Sequence, residues 1–242
     1  MAPPPSDCPF CAIASLSPPS HSLLPSSPSP PTPSLSSTST NSPPAHLLLS
    51  TRHTLALLDH APIAQGHTLL IVRSHREKSG DLTVEEGEEC GRWLGVLGRA
   101  VVGGVVGEEV EREEGDGDIG RDGFVEGGRG KGEGEEDVGD WNVVQNNGAR
   151  AAQVVPHVHY HIIPRVGSEV PEVKARSWTV FGKGQREDLD EDDARVLVRR
   201  IRRRLVREVE RARVREGEGA VRRLFGEEGM EKGEGWREGS KL

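Results

Sequence analysis

Three histidines at every second position, His157, His159 and His161, with Val158, Tyr160 and Ile162 between them, tightly restrict what this stretch can form. A β-strand sends successive side chains to opposite faces, so the alternation puts the imidazoles on one surface and the apolar residues on the other. Imidazole changes charge near neutral pH, ligates metals and attacks phosphorus, so such a row concentrates one kind of chemistry. A buried histidine can be merely hydrogen-bonded, and a His-x-His pair can be only a pair of metal ligands. Three in alternation, followed by an apolar run, point to a functional site.

The folded part around this row is smaller than 242 residues would allow, because only 33% of the chain is hydrophobic and 4% aromatic. Residues 14–45 are mostly Ser, Thr and Pro and cannot bury enough apolar surface to offset ordering entropy, so a disordered insert is expected there. Residues 103–139 carry thirteen acidic and four basic side chains among many glycines. Their net charge of −9, against −8 for the whole chain, leaves the remainder near neutrality, and they read as a solvated acidic insert. A disordered tail is expected over 216–242. No stretch approaches the ~20 apolar residues of a membrane span, and the Pro-rich start lacks the regions of a signal peptide. The expected location is cytoplasmic or nuclear, with no membrane partner.

Between these segments the pattern predicts a small α+β core. Leu47–Leu49, Thr54–Leu58, His67–Val72, 141–146 and the histidine stretch read as about five strands, and the short connections suggest an antiparallel meander. Thr83 and Glu86 form the two ends of a capping box, opening a helix that paired glycines should end near Val102. A second main helix, 188–215, shows Ala194, Leu197, Ile201, Leu205 and Val209 on one face. Its arginine-rich opposite face could attract nucleic acid, but interleaved glutamates favour a solvated surface. The folded units are therefore 46–102 and 140–187, joined by the 188–215 helix and by a short amino-terminal segment, 1–13.

That segment holds Cys8 and Cys11. Two thiolates three positions apart can hold one zinc, but a tetrahedral site needs two further ligands from elsewhere. The spacing also suits a redox pair, although the βαβ context of that motif is absent. Cys90, in a stretch that looks helical, reads as a structural thiol.

The run 146–165, NNGARAAQVVPHVHYHIIPR, closely resembles the signature of the histidine triad family of nucleotide-binding hydrolases and transferases. The run 57–75, LLDHAPIAQGHTLLIVRSH, is similar to that family's other conserved block, and Cys8–Ile13 looks like the Cys-x-x-Cys start of many members. The resemblance implies an antiparallel sheet with flanking helices, usually dimeric, that binds a purine nucleotide. It implies attack on the α-phosphorus of a phosphoramidate or dinucleoside polyphosphate by His159, giving a nucleotidyl-histidine that water resolves. His67 and His161 match positions that line the phosphate, Asn146 and Gln153 match amides that contact it, and Asp59 matches the acid that accepts the ribose hydroxyls. Cys8, Cys11, His75 and His157 match a structural zinc site; without zinc, His157 would return to the nucleotide side as a leaving-group acid. Ala152 and Val154 stand where the family often has Gly and a hydroxyl residue, which predicts a different leaving-group preference or a lower rate. The competing expectation is a zinc-stabilised nucleotide sensor or interaction module with little catalysis.

Overall fold

A computed structural model describes residues 7–20, 45–106, 139–165 and 188–225. It shows a five-stranded antiparallel sheet with helices on both faces. The strands are β1 (Leu47–Ser50), β2 (Thr54–Leu58), β3 (Thr68–Val72), β4 (Asp140–Val144) and β5 (His159–Arg165), and their order is β1-β2-β3-β5-β4. The sheet is a meander through β3. The chain then crosses a long helix before β4 takes the edge, so that β5 fills the place beside β3.

The period-2 rule sorts the core into two layers. Ala56, Leu58, Leu70, Val72, Val158 and Ile162 belong to one buried cluster, with α2 (Val84–Val106) and α3 (Glu191–Glu216). Leu55, Leu57, Leu69 and Ile71 face the other way, against α1 (Pro9–Leu16). β3 pairs with β5 so that Ile71 lies opposite His159 and Leu69 opposite His161, which fixes both histidines on the α1 face. The first histidine of the row is outside the ladder, because the His157 N–H closes a turn onto the Val155 carbonyl.

Helix α2 opens with the expected capping box, Glu86 N–H to Thr83 Oγ1 at 3.2 Å and Thr83 N–H to Glu86 Oε2 at 2.8 Å. It does not stop at the paired glycines but runs on to Val106. Gly103 and Gly104 are where α3 comes closest: a Cβ on Gly104 would sit 2.9 Å from Ile201 Cα, and one on Gly103 3.3 Å from the Arg204 side chain. Here the glycines permit packing and do not end the helix. Asp190 caps α3 by accepting from the N–H groups of Asp192 and Asp193.

Two segments expected to be disordered begin with ordered residues. Ala14 and Ser17 are buried, and the Arg73 guanidinium donates to the carbonyls of Ala14 (2.9 Å), Ser17 (2.6 Å) and Thr51 (2.9 Å), tying the end of α1 to the sheet. Residues 218–225 form α4 (Glu218–Phe225), which buries Ala220, Val221, Leu224 and Phe225, with Phe225 edge-on to Trp93 at 5.4 Å. The rest of the expected inserts and tail (21–44, 107–138 and 226–242), and residues 166–187 of the expected second half of the domain, lie outside the described residues. No helix among the described residues is long and apolar enough to cross a membrane.

Candidate active site and metal centre

The α1 face of the sheet carries two clusters side by side. In the first, Cys8 Sγ and Cys11 Sγ lie 3.3 Å and 3.6 Å from His157 Nδ1, and Cys11 Sγ lies 3.3 Å from His75 Nδ1. One donor atom from each of the four residues falls within 4.8 Å of the others. Zn–S near 2.3 Å and Zn–N near 2.1 Å in a tetrahedron put neighbouring donors about 3.6 Å apart, so the separations suit one zinc ion. The tautomer fits as well. His157 Nε2 is 2.7 Å from the Val72 carbonyl and can only donate there, which leaves the Nδ1 lone pair facing the thiols. Burial lowers the pKa of His157 to about 4, against the opposing pull of that carbonyl, so the ring stays neutral as a ligand must. Burial, with the adjacent Cys8 thiol, pushes Cys11 up to about 12, and a cation between them would favour the thiolate instead. His75 Nε2 is buried without a hydrogen-bond partner, so this ring's polar contact is on the thiol side.

Four residues distant in sequence thus meet as expected, but His157 is committed at both nitrogens and fully buried. Its ring stands with Cys8, Cys11 and His75.

The second cluster is Asp59, His67 and His161. Asp59 Oδ2 is 3.2 Å from His67 Nδ1, and His67 Nε2 is 3.0 Å from His161 Nδ1. The Ile63 N–H also points at His67 Nδ1, at 3.3 Å. One nitrogen cannot both donate to the carboxylate and accept from an amide, so the tautomer of the His67 ring selects which contact is made. Asp59 is buried and its Oδ1 accepts from the Ala61 N–H.

His159 stands between the clusters, its ring edge-on to Phe10 at 5.2 Å and to His161 at 5.0 Å. His159 Nδ1 donates to the His157 carbonyl at 2.6 Å, so Nε2 keeps its lone pair. Burial lowers the pKa of His159, more than the His157 carbonyl and Asp59 raise it, which keeps the imidazole neutral near pH 7. A neutral ring with one nitrogen held by a backbone oxygen is the form a histidine nucleophile requires.

The amides expected at the phosphate are engaged with the backbone. Gln153 Oε1 accepts from the Gly148 N–H at 2.6 Å and its Nε2 donates to the Glu77 carbonyl at 2.8 Å, which shapes the 148–157 loop behind His157. Asn146 Nδ2 makes a long contact, 3.4 Å, with the Ala152 carbonyl. Ala152 itself is left-handed, at φ 63° and ψ 27°, the only such non-glycine among the described residues. Phe10, edge-on to the rings of His157 and His159, and Arg73, which ties α1 to the sheet, support the site and were not legible in the sequence. Phe10 carried the one available signal, since it lies between the two cysteines.

The family model for the HIT domain matches residues 40–167, more than half of the chain. The chain belongs to the HIT family. It is 32% identical over 148 residues to an uncharacterised HIT-like protein of Methanocaldococcus jannaschii, covering 61% of this chain and 85% of that one. It is 31% identical over 126 residues to an adenosine 5'-monophosphoramidase of Schizosaccharomyces pombe, covering 52% and 68%. Among solved structures, a zinc-bound histidine triad family protein from Mycobacterium smegmatis superposes with a TM-score of 0.47 at 20% identity, over 81% of this chain and 94% of that one. Within this HIT chain the family match spans β1 to β5 and therefore all three histidines of the row.

Proposed function

We propose that this HIT protein is a nucleotide hydrolase or nucleotidyl transferase that acts at the α-phosphate of a purine nucleotide conjugate, with His159 as nucleophile. The observation that carries the reading is the 2.6 Å hydrogen bond from His159 Nδ1 to the His157 carbonyl, which leaves the lone pair on Nε2 of a neutral ring. Family membership and the named phosphoramidase activity of relatives from Schizosaccharomyces pombe, Candida albicans and Saccharomyces cerevisiae make an adenosine 5'-phosphoramidate the first substrate to offer.

In this reading His159 Nε2 attacks the α-phosphorus, a P–N bond to the ring forms, and the bond to the leaving group breaks as that group takes a proton. Water then attacks phosphorus, the P–N bond breaks, and the nucleoside monophosphate leaves with the ring restored. The linked pair His67 and His161 is placed to hold the proton that moves in these steps and to offset charge on the phosphoryl oxygens. The Asp59 carboxylate offers about four acceptor positions, enough to serve both its ring partner and ribose hydroxyls. Zinc held by Cys8, Cys11, His75 and His157 would be structural, since a closed four-ligand site leaves no position for substrate. Ligation there would fix the His157 backbone, whose carbonyl holds His159 Nδ1.

The test is turnover of adenosine 5'-monophosphoramidate by the wild type and by His159→Ala, with mass spectrometry of the trapped protein. The expected result is loss of at least about a thousandfold in turnover with retained nucleotide binding, and a nucleotidyl adduct on His159 in the wild type. Unchanged turnover in His159→Ala would overturn the assignment. A protein that binds nucleotide yet turns over none of the conjugates would instead match the sensor reading, which the exposed Val154 side chain favours.

A further inference from the structure

Cys8 and Cys11 are one turn apart at the start of α1. Cys8 precedes Pro9, its carbonyl already accepts from the Ala12 N–H at 3.1 Å, and Cys11 is the third residue of the helix. Positions i and i+3 of a helix hold their Cα atoms about 5 Å apart, inside the span that a disulfide bridges. Both side chains turn the same way. The two Sγ atoms lie 3.3 Å and 3.6 Å from one nitrogen, His157 Nδ1, and within 4.8 Å of each other. Closing an S–S bond there asks for side-chain rotation within one helical turn and for no movement of the sheet. The pair differs in access, since Cys8 is 7% exposed and Cys11 is more open. Cys90, the third thiol, is buried in α2 in the cluster on the other face of the sheet.

We propose that Cys8 and Cys11 form a site of reversible oxidative modification, at which a hydroperoxide makes a disulfide and so dismantles the four-residue cluster. The thiolate is the reactive form, and ligation of a cation together with His75 and His157 would hold both sulfurs in it. The Cys11 sulfur, the more open of the two, attacks the outer peroxide oxygen. The O–O bond breaks, an S–O bond forms, and an alkoxide, or hydroxide from hydrogen peroxide, leaves. The Cys8 thiolate then attacks the Cys11 sulfenic sulfur, an S–S bond forms, and the S–O bond breaks to release hydroxide. Two protons from solvent neutralise the released oxygens, so two thiolates and one hydroperoxide give a disulfide, an alcohol or water, and a further water. Two electrons pass from sulfur to oxygen, and the cation keeps its charge. A disulfide sulfur is no longer a thiolate ligand, so only His75 and His157 would remain at the cluster. The His157 ring would keep its contact with the Val72 carbonyl at 2.7 Å. This chemistry does not depend on His159 acting as a nucleophile.

The test exposes the full chain, prepared with zinc, to hydrogen peroxide and reads intact mass, the modified peptide and zinc captured by a coloured chelator. The expected result is a loss of about 2 Da within the peptide that holds Cys8 and Cys11, with release of about one zinc ion per chain at the same rate. Dithiothreitol followed by zinc should restore both mass and metal. Cys90→Ala should respond as the wild type does, and Cys11→Ser should show no such loss of mass, a readout independent of its metal content. The proposal is overturned if metal stays bound and both thiols stay reduced, an outcome that leaves the zinc reading intact. It is equally overturned if the sulfurs gain about 32 Da of oxygen without an S–S bond, or if Cys90 or a second chain supplies the partner thiol. The same loss of about 2 Da at Cys8 and Cys11 in a chain that never held zinc would support the modification site and remove the zinc reading instead.

Discussion

His159 Nδ1 donates to the carbonyl oxygen of His157 at 2.6 Å, and the same oxygen lies 3.3 Å from Gln153 Nε2. The residue whose ring faces the two thiols therefore holds, through its backbone, the ring proposed as nucleophile. Whatever fixes His157 also fixes the orientation of His159.

Removing metal from the Cys8, Cys11, His75 and His157 cluster should be felt at His159. Protein prepared with zinc should hold about one ion per chain, and Cys11→Ser should lose most of it, lower Tm by several degrees and reduce kcat more than nucleotide affinity. Alkylation checks the ligands independently. A chelator should expose Cys8 and Cys11, while Cys90, 1% exposed and pushed up to about 12 by burial, stays unlabelled until the protein unfolds. Labelling of all three at one rate would contradict the assignment.

Ala152→Gly should stabilise the fold. The left-handed backbone at this position costs a residue with a Cβ about 1 kcal/mol, more than the entropy glycine loses on folding, so a net gain of about 0.5 kcal/mol is expected. Urea denaturation of the pair measures it. The change also shows whether the altered residues before and after Gln153 act on rate through the loop or through the missing hydroxyl.

At Gly104 two effects compete. Alanine improves helix propensity by about 1 kcal/mol, but its Cβ would meet the Ile201 backbone at 2.9–3.0 Å, where no side chain can yield. Forcing α2 and α3 apart costs about 1–3 kcal/mol, so Gly104→Ala should lower stability despite the better helix former. Thermal unfolding that rises instead would show that the two helices adjust freely.

His46 should make the fold acid-sensitive. It is 5% exposed, and burial lowers its pKa from 6.5 despite Glu191 at 3.4 Å, with Arg195 adding to the decrease. Above pH 6.5 the ring is neutral folded and unfolded and contributes nothing. Below it the unfolded chain takes up a proton that the folded chain resists, so stability falls until the folded pKa is passed. His46→Gln should flatten the difference in unfolding free energy between about pH 7.5 and about pH 5, whatever its effect at neutral pH.

How much of this could be read from the chain depended on whether the signal was local. The capping box of Thr83 and Glu86 is written in four residues and appears as expected. The histidine alternation was legible for His159 and His161, but the turn that removes His157 from the strand depends on backbone partners the pattern does not encode. The meeting of Cys8, Cys11, His75 and His157 followed from family resemblance, since no spacing rule links positions 149 residues apart. β2 and β3 are buried on both faces, so their alternation was hidden in unbroken apolar runs. The glycines at 103 and 104 were misread as a stop because their reason lies in a helix one hundred residues away. Composition likewise masked α1 and α4, whose few apolar residues sit among Ser, Pro, Gly and Glu.

The Arg73 clamp has a consequence for how this protein tolerates change. One guanidinium holds the carbonyls of Ala14, Ser17 and Thr51, and the Ser20 N–H donates to the Ser50 carbonyl at 2.8 Å. Residues up to position 20 are thereby anchored at the Ser50 end of β1, while the chain from position 45 enters that strand at Leu47, its other end. The cost of closing a flexible connection grows only logarithmically with its length, so additions or deletions between positions 20 and 45 should leave the thiol pair's reach to His157 undisturbed. Length in this region is free to drift without consequence for the face that carries the histidines.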